Sequence, residues 1–217
     1  MFWQWFDTQA APRLAAREIS FRKIFTYLDG FAATEPLAIV ETGCLRAPDN
    51  WAGDGQSTLM FDRYLQDRPG GGICYAMDID PAATAACRAF VGSKTEVITG
   101  DSVRVLRDVA GRLHAGGMQL ALLYLDSFDL DWNNVTPSAV HHLKELVSIQ
   151  SCLTPRTLVV VDDAPMDAIC SAGDDGSFNL LRPPVVGGKG KYVAEYAAQV
   201  GAVPLFAHYQ SGWTGFR

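Results

Sequence analysis

A chain of 217 residues accommodates one α/β domain and leaves little room for a second. With 48% apolar and 19% charged residues it can bury one large core, which excludes a disordered chain. A net charge of −6 and a pI near 5.1 lack the basic footprint that a phosphate backbone attracts, so no nucleic-acid partner is expected. Apolar runs such as Leu120–Leu125 and Leu158–Val161 fall far short of the roughly 20 residues of a membrane span. Asp7 comes early and no basic segment precedes an apolar stretch, so no signal peptide is expected. Cys44, Cys74, Cys87, Cys152 and Cys170 contain no C-x-x-C pair. They read as the reduced thiols of a cytoplasmic protein and argue against structural zinc.

In chain order, Phe2, Trp3, Trp5 and Phe6 come first, an aromatic cluster expected to pack on something: a substrate-site wall or, in a homo-oligomer, a second copy of the chain. Ile19, Phe21, Ile24, Phe25 and Leu28 recur at helical spacing before Gly30. Residues 1–36 thus read as a helical extension ahead of a domain spanning 37–217. Strand-length apolar runs at Leu37–Thr42, Gly72–Asp78, Thr95–Ile98, Leu120–Leu125 and Thr157–Val161 alternate with amphipathic segments at Ser57–Gln66, Pro81–Phe90, Ser102–Leu113 and Pro137–Ile149. That alternation predicts a single α/β domain, a doubly wound Rossmann-like sheet of mostly parallel strands. The fourth and fifth runs are almost wholly apolar, as strands covered on both faces are. Met166–Gly190, rich in Gly, Asp and Pro, reads as a lid. A last helix at Lys191–Val200 precedes strands at Val203–His208 and Trp213–Phe216. The Gln-Ser-Gly turn between them is too tight for anything but an antiparallel C-terminal hairpin.

Open α/β sheets bind ligands beyond the carboxyl ends of their strands, so the residues that follow each strand carry the functional signal. After the first come Glu41-Thr42-Gly43-Cys44 and then Gly53-Asp54-Gly55-Gln56-Ser57. Glycine lets a backbone approach a ligand closely, and a helix start offers free N–H groups. Gly53 and Gly55 serve equally well as plain tight turns. After the second strand comes Asp78, a carboxylate that can accept both hydroxyls of a ribose. The third is followed by Gly100-Asp101-Ser102, the fourth by Asp126-Ser127-Phe128-Asp129 and the fifth by Asp162-Asp163. A single strand-end Asp is more often a helix cap than a ligand contact, but five consecutive polar or Gly-rich strand ends on one edge point to a site.

Together VETGC, GDGQST, AMDIDPAA, ITGDS, LLYLDSFD and VVVDDAP resemble the motif series of class I S-adenosylmethionine-dependent methyltransferases. The tail, KGKYVAEYAAQVGAVPLF followed by WTG, is similar to the last helix and hairpin of the macrocin O-methyltransferase-like group, and the catechol O-methyltransferase-like group shares the strand-end acids. The resemblance implies that Glu41 and Gly43 lie beside the methionine part of S-adenosyl-L-methionine and that Gly55 and Ser57 continue that loop. Asp78 would hold the ribose hydroxyls, and Asp101 and Ser102 would border the adenine. Asp126, Asp162 and Asp163 match the acids that hold Mg²⁺ in the metal-dependent members. Two departures stand out. Leu45–Ala52 is inserted between Gly43 and Gly53, which brings Asn50, Trp51 and Asp54 into consideration as ligand contacts. Asp129 stands where the catechol-type enzymes carry a lysine base.

Physics supplies a separate argument for a metal. Carboxylates at the tips of adjacent strands, about 5 Å apart, repel unless a cation lies between them, and hard oxygen ligands suit magnesium or calcium. The alternative is that Asp163 faces away and Asp162 caps a loop. Of His141 and His142 at most one faces the site, and a solvated pair is the favoured reading. His208 reads as structural, and Lys189 and Lys191 read as a solvated helix end, with a hold on an anionic substrate group or on the lid as the alternative. The expected reaction is methyl transfer to an oxygen of a small-molecule acceptor, with Asp126 or Asp129 as base. A nicotinamide-dependent oxidoreductase and a non-catalytic Rossmann-like binding protein are the alternatives; the missing G-x-G-x-x-G spacing counts against the oxidoreductase.

Overall fold

The computed structural model describes residues 1–53 and 55–216. The chain begins with a short helix α1 (Phe2–Trp5), a π turn (Phe6–Ala10) and two 3₁₀ turns (Ala11–Arg13 and Ala15–Arg17), then α2 (Glu18–Leu28). The alternating part follows as β1 (Leu37–Thr42), α3 (Ser57–Asp67), β2 (Gly72–Asp78), α4 (Pro81–Phe90), β3 (Thr95–Thr99), α5 (Ser102–Gly116), β4 (Leu120–Leu125), α6 (Thr136–Ser148) and β5 (Leu158–Val161). An arm of short strands comes next: β6 (Met166–Asp167), β7 (Cys170–Ala172), β8 (Phe178–Leu180) and β9 (Val185–Val186). Helix α7 (Lys191–Gln199) and strands β10 (Val203–Ala207) and β11 (Ser211–Thr214) end the chain. Every strand and helix expected in the alternating part is present, with boundaries shifted by three residues at most.

Seven strands form one sheet in the order β10-β11-β5-β4-β1-β2-β3. Strands β1 to β5 are parallel, and β11 runs antiparallel to both β5 and β10, which is the expected C-terminal hairpin. The chain moves outward from β1 to β3 and then returns to β4 on the other side of β1. The switch point therefore lies between β1 and β4, where such sheets open a crevice at their carboxyl ends.

Side-chain alternation along the strands divides the core into two layers. Leu37, Ile39, Leu122, Tyr124, Leu158 and Val160 face α2, α3 and α4, whereas Ala38, Val40, Leu123, Leu125, Val159 and Val161 face α5, α6 and α7. The N-terminal aromatics belong to the first layer. Phe2 and Phe6 are buried against Phe25, with ring centroids 4.5 and 5.5 Å away, and Phe2 also meets Tyr64 at 5.1 Å. The cluster thus packs on its own chain, which neither sequence alternative provided for, and residues 1–36 share one core with the sheet.

Met166–Gly190 is an arm of two short antiparallel ribbons, β6 with β9 and β7 with β8. Its turns use Gly and Asp, but β8 and the residue after it expose Phe178, Leu180 and Leu181. Among the described residues, no helix is long and apolar enough to cross a membrane.

Candidate functional site

The carboxyl edge of the sheet collects the strand-end residues into two clefts that share Asp78 and Ser127. The larger, about 350 Å³, lies between the ends of β2 and β3 and is lined by Met77, Asp78, Asp101, Ser102, Phe128 and His141. The smaller, about 50 Å³, lies at the switch point and is lined by Gly43, Cys44, Arg46, Asp126, Asp163 and Lys189, among others. Gly43 makes the junction possible. Its φ is +78°, and a Cβ there would sit 2.5 Å from the Asp126 carbonyl oxygen, so only glycine lets the β1 loop pass this close to the end of β4.

The expected cofactor residues take different positions. Asp78 accepts the Asp80 N–H at 2.9 Å through Oδ1 and borders both clefts. Asp101 lies on the rim and accepts the Arg104 N–H at 3.0 Å, so it caps α5 as well. Ser102 is buried, and its hydroxyl lies 3.1 Å from His141 Nε2. Ser57 lines the smaller cleft at the start of α3. Gly55, at φ +70°, packs instead on the side chain of Arg17, where a Cβ would come within 3.0 Å of Cδ. Glu41 is fully buried below the β1 loop, and among the described residues neither carboxylate oxygen has a partner at hydrogen-bonding geometry. Burial pushes its carboxyl up to about 8, with the neighbouring Ser57 and Thr58 hydroxyls offsetting part of the shift.

The insertion reaches the smaller cleft through Arg46, while its later residues turn toward the N-terminal segment. Trp51 is buried, 6.3 Å from Trp5 and beneath Arg13, so it braces the N-terminal turns and lines neither cleft. Asn50 lies against Gly53, and Asp54 falls outside the described residues.

Asp126, Asp162 and Asp163 do meet, with one oxygen of each within 4.8 Å of the others. Two cations not expected here from the sequence meet them. Arg17 Nε donates to both oxygens of Asp162 at 3.0 and 2.9 Å, while its terminal nitrogens reach the Ala52 carbonyl at 3.0 Å and Asp163 Oδ1 at 3.2 Å. Lys189 Nζ lies 2.5 Å from Asp126 Oδ1 and 3.1 Å from Asp163 Oδ2. The Tyr209 hydroxyl donates to Asp163 Oδ1 at 2.5 Å. Lys189 is 2% exposed, which corrects its reading as a solvated helix end. Burial works against its charge, yet Asp126, Asp163 and Asp162 outweigh burial and raise it above the ordinary lysine range. Burial, with Asp162 and Asp163, pushes Asp126 up against the pull of Lys189.

This donor set does not fit a resident divalent ion. Both oxygens of Asp162 are taken by Arg17, and an ammonium already lies between Asp126 and Asp163 where the ion would have to enter. The repulsion that suggested a metal is compensated by the protein's own side chains. Asp129 is 76% exposed at the mouth of the smaller cleft, 3.1 Å from Arg46, so its carboxylate is already paired.

A second polar network lines the floor between the clefts. The fully buried Glu145 accepts from Thr42 Oγ1 at 3.0 Å and Ser127 Oγ at 2.5 Å, and it lies 3.3 Å from His141. Burial opposes the charge on Glu145, but His141, His142 and the Ser102 and Ser127 hydroxyls hold its carboxyl below the usual range. His141 is raised in turn, first by Glu145. His142 is wholly buried, and burial lowers it to about 4. The two histidines are therefore one cleft residue and one core residue, not a solvated pair. The helical spacing of Ser138, His142 and Glu145, all on the inner face of α6, was the available signal.

No protein-family model and no curated protein matches the sequence. Solved structures do resemble it. The sugar N-methyltransferase KedS8 from Streptoalloteichus sp. ATCC 53650 superposes with a TM-score of 0.50 over 100% of this chain and 92% of that one, at 9% identity. LepI, in a complex with S-adenosylmethionine, gives a TM-score of 0.50 at 14% identity over 99% of this chain, which spans 55% of LepI. At such identities the likeness is one of fold, and the chain has the Rossmann-like fold that these proteins share.

Proposed function

We propose that the chain is an S-adenosylmethionine-dependent methyltransferase acting on an oxygen of a small-molecule acceptor. The observation that carries this reading is the pair of clefts joined at Asp78 and Ser127 on the carboxyl edge of the sheet, beside the β1–β4 switch point. The larger cleft suits a nucleoside and the smaller, polar one the reacting groups. Among the proteins of similar fold, LepI forms a complex with this same cofactor, and KedS8 is a methyltransferase by name.

When bound, S-adenosylmethionine supplies an electrophilic methyl group on sulfur. The chain's own part is recognition, alignment and proton removal. Asp78 would accept the ribose hydroxyls through the oxygen that the Asp80 N–H leaves free. Ser102, Phe128 and His141 would border the base. Glu41 and Gly43 would lie at the methionine end, where the raised pKa of Glu41 makes it a hydrogen-bond donor over most of the neutral range. Asp126 is the candidate base. It borders the smaller cleft, and Lys189 fixes one of its oxygens, leaving the other to take the acceptor's hydroxyl proton.

Calorimetry tests the reading directly. S-adenosylhomocysteine should bind in the micromolar range, about −8 kcal/mol, and NAD should not bind. NAD binding without S-adenosylhomocysteine binding would transfer the chain to the oxidoreductases.

A further inference from the structure

We propose that Lys189, seconded by Arg17, is the built-in counter-charge of the Asp126–Asp162–Asp163 cluster and occupies the place of a divalent ion, so that proton removal by Asp126 needs no metal. The reaction in this statement rests on the methyltransferase reading; the charge assignment rests on the protein alone.

Three observations carry it. The first is saturation: three carboxylates face two nearly buried cations. Arg17 covers both oxygens of Asp162, Tyr209 and Arg17 reach one oxygen of Asp163, and Lys189 reaches the other and also Asp126. Only one formal negative charge is left, against three that would face an incoming ion.

The second is the backbone clamp that aims Lys189. Gly188 has φ +53°, and a Cβ there would lie 2.0 Å from the Asp163 carbonyl oxygen, so the segment before Lys189 crosses the end of β5 in direct contact. The Lys189 N–H donates to that same carbonyl at 3.0 Å, and the Gly187 N–H donates to Pro165 O at 2.8 Å. Lys189 and Asp163 are thus tied through main chain as well as side chain, and the ammonium is held by the fold instead of sampling solvent.

The third is how Arg17 arrives. It ends the N-terminal turns, and Phe2, Phe6 and Leu14 of that segment are core residues. Its guanidinium also stacks over the Tyr209 ring, 4.7 Å from the centroid. The cation is anchored on both sides, by the N-terminal segment and by the turn before β11.

Lys189 is a positioning residue here: it acts through Asp126, holding one carboxylate oxygen so that the other faces the cleft. Mn²⁺ is the probe, followed by the loss of free-ion EPR signal. Wild-type protein should bind none at the cluster up to about 1 mM, the weak end of carboxylate sites. Lys189→Ala and Lys189→Met should each gain one ion per chain, at least about tenfold more tightly than wild type, because three carboxylates then face only Arg17. Adding Asp162→Asn should remove the gain. Lys189→Met keeps the apolar stem of the lysine, so the comparison survives if the Ala variant does not fold. Stoichiometric Mn²⁺ binding by wild type that Asp162→Asn abolishes would overturn the proposal. So would a folded Lys189→Met protein that gains no ion. S-adenosylhomocysteine binding on the same preparations separates the two claims. Its absence from wild type removes the methyltransferase reading, while the Mn²⁺ result still decides the charge assignment.

Discussion

Arg17 reverses the expectation for each acid it touches. Among unpaired neighbouring carboxylates, removing one relieves repulsion. Around a nearly buried guanidinium, removing one strands a cation, and removing the guanidinium strands a carboxylate. Asp162 is fully buried and accepts two bonds from Arg17 alone, so Arg17→Ala should cost about 3–5 kcal/mol in urea unfolding, the range for breaking a buried pair on one side. Asp162→Asn should cost less, because Arg17 keeps Asp163 and the Ala52 carbonyl. A cost below about 1 kcal/mol for Arg17→Ala would mean that water solvates the cluster. At the other end of the site, Asp78→Ala should weaken S-adenosylhomocysteine binding by about 1.5–3 kcal/mol, the value of charge-assisted hydrogen bonds. Unchanged affinity in a folded variant would remove Asp78 from the ribose. The strand-end acids were legible in the sequence because a strand's end is a local signal. Arg17 and Lys189 were not. A lone basic residue after a turn looks the same whether it ends in water or, as with Arg17 and Asp162, on a partner 145 positions away. The Gly187-Gly188 pair was the one hint at Lys189, since adjacent glycines often mark a close backbone approach.

At the scale of elements, the N-terminal segment and the arm make opposite contributions. Phe6 is fully buried and touches Phe2, Trp3 and Phe25. Phe6→Ala should cost about 3–5 kcal/mol, as truncation of a core aromatic does, and a loss under 1 kcal/mol would make the segment an appendage. The arm is built from ribbons of two or three paired residues with exposed side chains, and short two-stranded ribbons add little stability. Replacing residues 168–184 with Asn-Gly, which keeps β6 and β9, should leave the melting temperature within about 3 °C, on the order of 1 kcal/mol for a chain of this size. A larger drop would show that the arm packs on the domain. Periodicity made the alternating helices and strands legible, since each carries its own apolar stripe. The arm read as loop because its strands are too short to set up a period, and Gly and Asp dominate its turns. The aromatic cluster was legible as something that must pack. Its partners, Phe25 and Tyr64, come from other elements, and nothing local names them.

At the scale of the whole molecule, the buried ionisable groups set how stability varies with pH, and two of them act in opposite senses. Glu41 moves from an ordinary 4.5 to about 8 in the fold, through burial. The folded chain holds this proton where the unfolded chain has released it, so the stability it contributes is complete below pH 4.5 and is lost as pH rises to 8. His142 moves from 6.5 to about 4, also through burial. The unfolded chain binds that proton first, so stability falls as pH drops from 6.5 to 4. Between pH 4.5 and 6.5 the two slopes oppose each other. Above 6.5 only the Glu41 slope of this pair remains, about 1.4 kcal/mol per pH unit, and the raised His141 adds to it in the same direction. The contributions of this pair should therefore cancel between pH 4.5 and 6.5 in melts of the ligand-free protein. From pH 6.5 to 8 the melting temperature should decline by several degrees, about 2 kcal/mol from Glu41. Glu41→Gln isolates that share, because an amide cannot ionise and His141 is untouched. The gap between variant and wild type should close by about 2 kcal/mol as pH rises from 6.5 to 8, with the variant gaining relative to wild type. A gap that stays constant across that range would mean that Glu41 is ionised throughout, with a donor or water reaching its carboxylate below the β1 loop.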